Sequence, residues 1–136
     1  MANDSERLRL LERAVTASTN SISITDPSRA DSPLVYVNPA FERTTVYAAE
    51  EVLGRNCRFL QGEDRDQPAL GELRAAIREE RHCTVVLRNY RKNGTLFHNE
   101  LSVYPVRDEN GHVVNFVGVQ NDITERRRTE ESLREI

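Results

Sequence analysis

Apolar and polar side chains alternate along most of the second half of the chain, which is the pattern of β-strands with one buried face. The alternation predicts three long strands, over residues 83–92, 95–107 and 112–122. Asn93-Gly94 and Asn110-Gly111 separate them, and Asn-Gly between alternating strands is the typical signal of a β-hairpin. We therefore expect an antiparallel meander of three strands in this half.

The first half predicts shorter elements. Residues 21–25 and 34–38 are β-like runs on either side of a turn rich in Asp, Pro and Ser, so we expect them to pair as a hairpin. From residue 39 onward the spacing of apolar residues changes to that of short helices, of which the longest covers residues 68–80. A helical insert thus separates the first two strands from the meander.

Two charged helices are expected to flank this core. Residues 4–16 place three apolar residues at helical spacing, with Asp4 or Ser5 as the N-cap. The element order predicts an α+β fold in which a five-stranded antiparallel sheet is covered on one face by helices, with a pocket between the two layers. We divide the chain into an amphipathic N-terminal helix over 1–17, a core over 18–122 and a C-terminal helix over 123–136. The last of these is a linker to an effector or a dimerisation helix.

Composition narrows the classes of function. With 136 residues the chain is long enough for one core. The formal net charge is -3 and basic residues form no patch with interleaved aromatics, so we expect no nucleic-acid partner. No apolar run approaches the ~20 residues of a membrane span and the N-terminus carries no signal-peptide core, so we expect a cytoplasmic protein without a membrane segment. The two cysteines lack the spacing of metal ligands, and no metal site is expected.

Each of the three long strands carries one amide on its predicted buried face. By parity, Asn89 and Asn99 share their faces with apolar residues, and Gln120 shares its face with Val114 and Phe116. A buried amide without a partner costs about 1–3 kcal/mol, so these three need partners. They can bond the backbone or one another. Alternatively, a planar heteroaromatic ligand with donors and acceptors along one edge satisfies them, and a flavin fits that description.

A second group of polar residues lies in the helical insert, in the run Gly-Arg-Asn-Cys-Arg-Phe-Leu-Gln. If this run is helical, Cys57, Leu60 and Gln61 share one face and the thiol points inward. Arg58 in this run and Arg74 on the long helix are suited to hold a phosphate with their planar guanidinium groups. Structural explanations stay open for each, since a flanking Arg is commonly solvated and a lone Cys is commonly a small buried apolar residue.

This eight-residue run, at residues 54–61, resembles the signature of the light-oxygen-voltage (LOV) domains of the PAS superfamily. Residues 89–94, 99–102 and 116–120 resemble later motifs of the same family, and the likeness extends over residues 21–122. The resemblance implies the PAS fold and an FMN chromophore. It also implies a blue-light photoreceptor in which Cys57 forms a reversible bond to C4a of the excited flavin, without net turnover, so we expect no enzymatic activity from the domain.

The resemblance also assigns the residues around the flavin. Cys57 is the thiol that forms the adduct, and Asn56 helps to hold its loop. Arg58 and Arg74 bind the phosphate, Gln61 the ribityl-phosphate tail, Asn89 and Asn99 the pyrimidine edge, and Gln120 the region of O4 and N5. The residues that wall the ring are Thr25, Leu60, Leu73, Ile77, Leu87, Leu101, Phe116 and Gly118.

Two local expectations come from the family pattern. The chain has Val46 where the family usually has glycine, and if this residue ends a helix with positive φ, it is strained by on the order of 1 kcal/mol or more. The family also implies a surface ion pair between Glu51 and Lys92, which bridges the helical insert and the first long hairpin.

Three functions compete for this sequence. A photoreceptor requires Cys57 beside the flavin, a redox-sensing PAS domain binds the flavin without needing a thiol, and a PAS dimerisation module needs no cofactor. The cysteine favours the first. A catalytic flavoenzyme fits less well, because no second acid–base residue falls among the predicted pocket positions.

The outer face of the sheet is also apolar, and an apolar patch of this kind usually marks an interface. Parity places on it Val86, Tyr104, Val106, Val113, Val117 and Val119. The flanking helices add Leu8, Leu11, Val15, Ile123, Leu133 and Ile136. We expect a homodimer through the sheet face and the terminal helices, with a C-terminal effector as the other partner. A monomer whose leader helix folds back over its own sheet is the alternative.

Overall fold

The framework of the computed structural model, which describes residues 3–134, is a single β-sheet. Its strands are β1 (Ser21–Thr25), β2 (Leu34–Val37), β3 (Cys83–Tyr90), β4 (Leu96–Arg107) and β5 (Val113–Asp122). They pair antiparallel in the order β2-β1-β5-β4-β3, which places the last strand at the centre with the first strand beside it. The five-stranded antiparallel sheet predicted from the alternation is confirmed.

Helices fill the connection between β2 and β3 and flank the core. They are α1 (Asp4–Ala17), α2 (Pro39–Thr45), α3 (Ala49–Val52), a 3₁₀ helix (Cys57–Gln61), α4 (Pro68–Arg78) and α5 (Thr124–Arg134). Two apolar clusters hold the inserted helices against one face of the sheet. The first comprises Leu34, Val37, Phe41, Val52 and Leu60, and the second Leu70, Ala76, Cys83, Val85 and Leu87. The α+β class, with helices on one face, is therefore confirmed. Among residues 3–134, no helix is both long and apolar enough to span a membrane.

Both Asn-Gly dipeptides lie in hairpin loops, as predicted. Gly94 and Gly111 are left-handed, with φ of 87° and 85°. The first loop closes where the N–H of Arg91 donates to the carbonyl of Thr95 at 2.9 Å. Three residues lie inside this loop, and glycine in the left-handed position is typical of such a loop. The predicted strand ends at Lys92 and Thr95 therefore belong to the loop, so β3 and β4 are shorter than expected.

The leader helix α1 begins at a different cap from the one predicted. Asn3, not Asp4 or Ser5, is the N-cap, and its Oδ1 accepts from the N–H of Glu6 at 2.8 Å. The Glu6 carboxylate accepts from the N–H of Asn3 in return at 3.3 Å, which completes a capping box. No residue of α1 is buried. The alternative in which this helix covers its own sheet is therefore wrong for the described residues.

The terminal helix α5 begins after Ile123 rather than at it. Ile123 is buried, and its N–H donates to the carbonyl of His98 at 2.9 Å, so it extends the sheet. Asp122 Oδ1 then accepts from the N–H of Thr124 at 3.0 Å, at the start of the helix. The predicted contribution of Ile136 lies outside the described residues.

A bulge near the start of β5 shifts the parity of the residues before Asn115, so Val113, which was predicted on the outer face, instead pairs with Arg107 on the side of Phe116. Val106 pairs with Asn115 and Arg107 pairs with Val113, which leaves Val114 without a partner. Val114 is 39% exposed, so the prediction that it shares the buried face of Phe116 was wrong. A bulge adds one residue to a strand without changing its hydrophobic pattern, which is why alternation alone does not reveal it.

The end of α2 shows the strain predicted at Val46. This residue has φ 66° and ψ 4°, and its N–H donates to the carbonyl of Glu42 at 2.9 Å, so it closes the helix in the left-handed conformation. The predicted ion pair between Glu51 and Lys92 is also present. Both charged groups are substantially exposed, so the pair contributes little to stability.

Candidate functional site

A cavity of about 290 Å³ lies between the inner face of the sheet and the inserted helices. Pockets for small organic ligands are typically roughly 300–1,000 Å³ in volume. All residues that the sequence predicted for the site line this one cavity: Thr25, Asn56, Cys57, Arg58, Leu60, Gln61, Leu73, Arg74, Ile77, Leu87, Asn89, Asn99, Leu101, Phe116, Gly118 and Gln120. The fold therefore brings together side chains from β1, the 3₁₀ helix, α4 and the three long strands.

Four further residues of the lining were not predicted: Ser23, Ser32, Leu70 and Val103. Three of them follow signals that are visible in the sequence. Ser23 has the parity of Thr25, Val103 has the parity of Asn99 and Leu101, and Leu70 precedes Leu73 by three residues on the same helix. Ser32 lies in the β1–β2 loop with φ 44°, and no periodicity indicates its position.

Cys57 opens the 3₁₀ helix, where the Oδ1 of Asn56 accepts from the N–H of Arg58 at 3.0 Å. In a 3₁₀ helix, residues three apart point to the same side, so Cys57 and Leu60 both face inward. This segment was expected to be an α-helix, yet Gln61 still reaches the cavity. Cys57 is surrounded by protein and exposed only in part, because its side chain borders the cavity.

The surroundings of Cys57 keep its thiol protonated. Burial disfavours the charged thiolate and raises the pKa from 9.0 to about 11, while a backbone hydrogen bond opposes this in part. At neutral pH the side chain is therefore a thiol that carries its own proton. Cys83, the second cysteine, is buried in the apolar cluster below α4 and does not line the cavity.

An aromatic contact anchors the 3₁₀ helix from the helical layer. The ring of Phe59 meets that of Tyr47 edge to face, with centroids 5.0 Å apart. The guanidinium of Arg55 lies 4.4 Å from the centroid of Phe59. Aromatic and cation–π contacts of this geometry are favourable, so they restrict the rotation of the segment that carries Cys57.

Two of the three predicted amides bond each other. Asn99 Nδ2 donates to Asn89 Oδ1 at 2.9 Å, and Asn89 Nδ2 donates to the carbonyl of Arg88 at 3.0 Å. The simple expectation that these amides bond the backbone or one another is thus correct for three of their groups. Asn99 Oδ1, however, is buried and has no hydrogen-bond partner within residues 3–134. An acceptor in this position calls for a donor from a ligand.

The third amide, Gln120, is held from the neighbouring strand. The hydroxyl of Ser21 donates to Gln120 Oε1 at 2.9 Å, and both side chains are buried. The two residues are direct partners in the pairing of β1 with β5. Gln120 therefore borders the cavity with its oxygen already occupied by a residue of the first strand.

Gly118 keeps the sheet close to the cavity. A Cβ at this position would lie 2.8 Å from Ser23 Oγ and 3.3 Å from Leu101 Cδ1. The first of these distances is too short for a real contact, so the side chain of Ser23 would have to move to admit a larger residue at this position. Glycine here gives the cavity a flat floor beside Gln120.

Two arginines, Arg58 and Arg74, also line the cavity. Arg58 forms an ion pair with Asp31 of the β1–β2 loop, and this contact lowers the pKa of the Asp31 carboxyl and raises that of the guanidinium. Arg74 takes part in no ion pair within the described residues. Both arginines line the cavity, and together they suit an anionic group.

The donors and acceptors of the cavity fit a flavin rather than a metal ion. The amides, the orphan oxygen of Asn99 and the apolar walls match a planar ring with a polar edge. The part of the chain that the structure describes contains no group of three or more His, Cys, Asp or Glu side chains placed to hold a metal.

The fold and the cavity define the class of protein first. Residues 19–125 match the family model described as a PAS domain, and the chain belongs to this family.

Within the PAS family the chain is a LOV domain. It is 46% identical over 112 residues to the blue-light photoreceptor of Listeria monocytogenes, covering 82% of this chain and 44% of that protein. It is 49% identical over 114 residues to blue-light-activated histidine kinase 1 of Erythrobacter litoralis, covering 81% of this chain and 32% of the kinase. An RNA-binding light-oxygen-voltage receptor superposes with a TM-score of 0.92 at 41% identity, covering 99% of this chain and 38% of that one. The chain thus spans less than half the length of each.

Proposed function

We propose that the chain is a blue-light photoreceptor domain that binds FMN and signals through a reversible covalent bond between the Cys57 sulfur and C4a of the flavin. The observation that carries the proposal is the position of Cys57, a protonated thiol on the wall of the cavity that also contains the three amides. The similarity to a blue-light photoreceptor and to a blue-light-activated kinase supports it.

The amides suit the pyrimidine edge of the ring. This edge presents an N–H donor between two carbonyl oxygens, and Asn99 Oδ1 is a buried acceptor in need of such a donor. The NH₂ groups of Asn89 and Asn99 each donate one N–H within the protein, which leaves the second N–H of each for the neighbouring carbonyls. Since an unpaired buried polar group costs about 1–3 kcal/mol, satisfying this oxygen favours the bound state.

The arginines suit the phosphate. Arg58 and Arg74 line the cavity from two different helices, and guanidinium groups bind phosphate with two parallel N–H donors. Gln61 lines the same cavity from the end of the 3₁₀ helix, and we assign it to the ribityl-phosphate tail. Riboflavin lacks the phosphate and would leave both arginines without this ligand.

When bound and excited by blue light, the flavin supplies an electrophilic carbon, C4a, beside a nitrogen, N5, that takes up a proton. Cys57 would supply both parts of the addition: its S–H bond would break, its sulfur would bond the ring carbon and its proton would pass to the ring nitrogen. Since burial raises the pKa of this thiol to about 11, it is protonated at neutral pH and would bring its own proton to the addition. Dark recovery reverses each of these changes, so there is no net reaction.

Gln120 then transmits the change. The amide of Gln120 can present either its oxygen or its NH₂ group to the cavity, so it would turn its oxygen toward a ring nitrogen that has gained a proton. That oxygen accepts from Ser21 beforehand, so the rotation breaks this bond and presents the NH₂ group to the Ser21 hydroxyl, which can accept instead. The hydrogen-bond pattern between β1 and β5 is thereby altered near α1 and α5. A change of this kind shifts the population of two docked states of the flanking helices.

The flanking helices are the proposed output of the domain. We assign residues 1–17 and 123–136 to this role and residues 18–122 to the photosensory core. On the outer face of the sheet Val86, Tyr104 and Val106 are exposed, and α1 exposes its leucines, which supports a homodimer through these surfaces. The similar kinase extends beyond the matched region, so an effector on the same chain is the other proposed partner. The two free cysteines support a reducing, cytoplasmic setting.

An absorption spectrum of the purified protein before and after blue light tests the proposal. We expect a yellow protein that bleaches under blue light and recovers in the dark. Cys57→Ala should keep the colour, lose the bleaching and fluoresce steadily. Cys83→Ala is the matched control, since this second thiol lies outside the cavity, and it should bleach and recover like the unmodified chain.

Each competing function gives a different spectrum. A colourless protein that takes up no added FMN contradicts the photoreceptor and leaves a PAS dimerisation module. A yellow protein that does not bleach indicates a flavin-binding redox sensor. Persistent bleaching of Cys57→Ala with the same product spectrum removes Cys57 from its proposed role.

A further inference from the structure

Asp31 in the β1–β2 loop is held from two sides by the residues that flank Cys57. Asn56 Nδ2 donates to the carbonyl oxygen of Asp31 at 2.8 Å, and the guanidinium of Arg58 pairs with its carboxylate. Asp31 has φ 65° and Ser32, which lines the cavity, has φ 44°. Asp31 thus links the β1–β2 loop to the segment that carries Cys57, and its carboxylate pairs with Arg58 of the cavity lining.

The two arginines of the cavity therefore differ in their surroundings. Arg58 has a carboxylate partner, whereas Arg74 forms no ion pair with any residue from 3 to 134. The side chains of Arg58 and Asp31 are 48% and 58% exposed, so their pair lies at the solvent-facing end of the cavity. A ligand phosphate bound by Arg58 would lie close to the carboxylate of Asp31.

We propose that Asp31 is a specificity-determining residue that lowers the preference of the cavity for FMN over riboflavin. It does so by neutralising part of the charge of Arg58 and by placing a negative charge beside the phosphate. This inference rests on the proposed FMN site. A guanidinium has five N–H donors, so Arg58 can hold both groups at once. The carboxylate nevertheless repels a phosphate monoester, which carries about -1.5 to -2 charges at pH 7.

Other roles for Asp31 predict different signs. If the residue only orients Arg58, its removal weakens FMN binding and leaves riboflavin unchanged. If the loop only closes the cavity, its removal changes both affinities by the same factor. The charge argument alone predicts tighter binding of FMN with riboflavin binding unchanged. The dissociation constant of riboflavin divided by that of FMN therefore rises, falls or stays the same according to the role, and this ratio separates the three roles.

The test uses Asp31→Asn in the full chain without bound flavin. Asparagine keeps the shape of the side chain and tolerates a positive φ. Dissociation constants for FMN and riboflavin are measured in the dark by flavin fluorescence, at low salt and at 1 M salt. We expect the preference for FMN to rise roughly five- to tenfold at low salt, as a unit charge near a dianion at a protein surface allows. The rise should shrink at 1 M salt, where the screening length is about 3 Å.

Two further variants provide a control and a second test of this result. Glu109→Gln removes an exposed carboxylate from the β4–β5 loop, which contributes no residue to the cavity lining, and should leave the ratio unchanged. Asp31→Gly removes the carboxylate at a position where glycine suits the backbone, and it should raise the ratio as Asp31→Asn does. It serves as the second test if the asparagine variant does not fold.

Failure of the inference and failure of the proposed function give different results. A ratio that stays the same or falls in both Asp31 variants overturns the inference, as does an equal change in both dissociation constants. The combined variant Arg58→Gln with Arg74→Gln is measured in the same assay. If it leaves the ratio unchanged, the arginines do not bind the phosphate and the proposed site itself is wrong. If it lowers the ratio while the Asp31 variants do not raise it, only the role of Asp31 is wrong.

Discussion

High pH should destabilise the protein through the thiol of Cys57. This group has an ordinary pKa of 9.0, and burial raises the pKa to about 11 in the folded state. The folded protein therefore holds the thiol proton more tightly than the unfolded chain does. A group whose folded pKa is raised contributes stability that is complete below the unfolded pKa and is lost as the pH rises through the folded pKa. For Cys57 the loss begins near pH 9 and ends above pH 11.

The size of the effect follows from the two pKa values. A shift from 9.0 to about 11 corresponds to about 2.7 kcal/mol once the thiol is ionised in both states. At pH 10 the unfolded chain is mostly ionised at this residue and the folded protein is mostly protonated, so about 1.4 kcal/mol is already lost. This is a measurable share of the 5–15 kcal/mol that typically stabilises a domain.

Urea unfolding of the flavin-free protein at pH 8, 9 and 10 measures this loss. The comparison is made between Cys83→Ala and the double variant Cys57→Ala with Cys83→Ala, because burial also raises the pKa of Cys83. Tyr90, whose pKa is raised by its hydrogen bond to Asp64, titrates in both proteins and cancels in the difference. The chain that keeps Cys57 should lose about 1.4 kcal/mol more between pH 8 and pH 10.

Parallel curves for the two proteins would refute the reasoning. They would show that the thiol ionises as easily in the folded protein as in the unfolded chain. Cys57 would then be partly a thiolate near pH 9, and the argument that it carries its own proton into the addition would lose its basis.

Three further predictions test other parts of the structure. Val46→Gly should raise the free energy of unfolding by roughly 0.5–1 kcal/mol. Glycine removes the left-handed penalty of ~1–2 kcal/mol, but its greater freedom in the unfolded chain offsets part of this gain. A fall in the urea midpoint contradicts this prediction. Arg58→Ala with Arg74→Ala should bind FMN more weakly and riboflavin about equally well in a fluorescence titration, and unchanged affinities exclude the phosphate role. Light scattering over a range of concentrations should show a dimer that weakens when the chain starts at Ala17, and a full-length monomer throughout refutes the dimer.

Alternation was sufficient to predict most of the inner face of the sheet. Asn89, Asn99 and Gln120 all face the cavity, because strand parity is set by the backbone and survives shifts in the strand ends. Parity failed at Val114, where a bulge inserts one unpaired residue. The helical type of the segment at Cys57 was also not predictable, since five residues are too few to separate a 3₁₀ helix from an α-helix by pattern.

Contacts between distant loops could not be predicted from the sequence. Asp31 reaches Arg58 because Asp31 and Ser32 both have a left-handed backbone. Neither residue is a glycine, which would have indicated such a turn in the sequence. The hydrogen bond between Ser21 and Gln120 could not be predicted for a related reason. Ser21 is an ordinary strand residue in the sequence, and only the pairing of β1 with the central strand β5 brings the two side chains together.

The pairing of β1 with β5 brings both ends of the core close to Gln120. Because β1 and β5 are antiparallel, the first residue of β1, Ser21, pairs with Gln120 near the end of β5. Helix α1 ends just before Ser21, and α5 starts four residues after Gln120. The buried side chain of Asn38 adds a further tie, since its Nδ2 donates to the carbonyl of Val15 in α1 at 3.1 Å and its Oδ1 accepts from the N–H of Ile22 in β1 at 2.8 Å. A rotation of the Gln120 amide therefore acts within a few residues of both helices, and neither the N-terminal nor the C-terminal output requires a long path through the sheet.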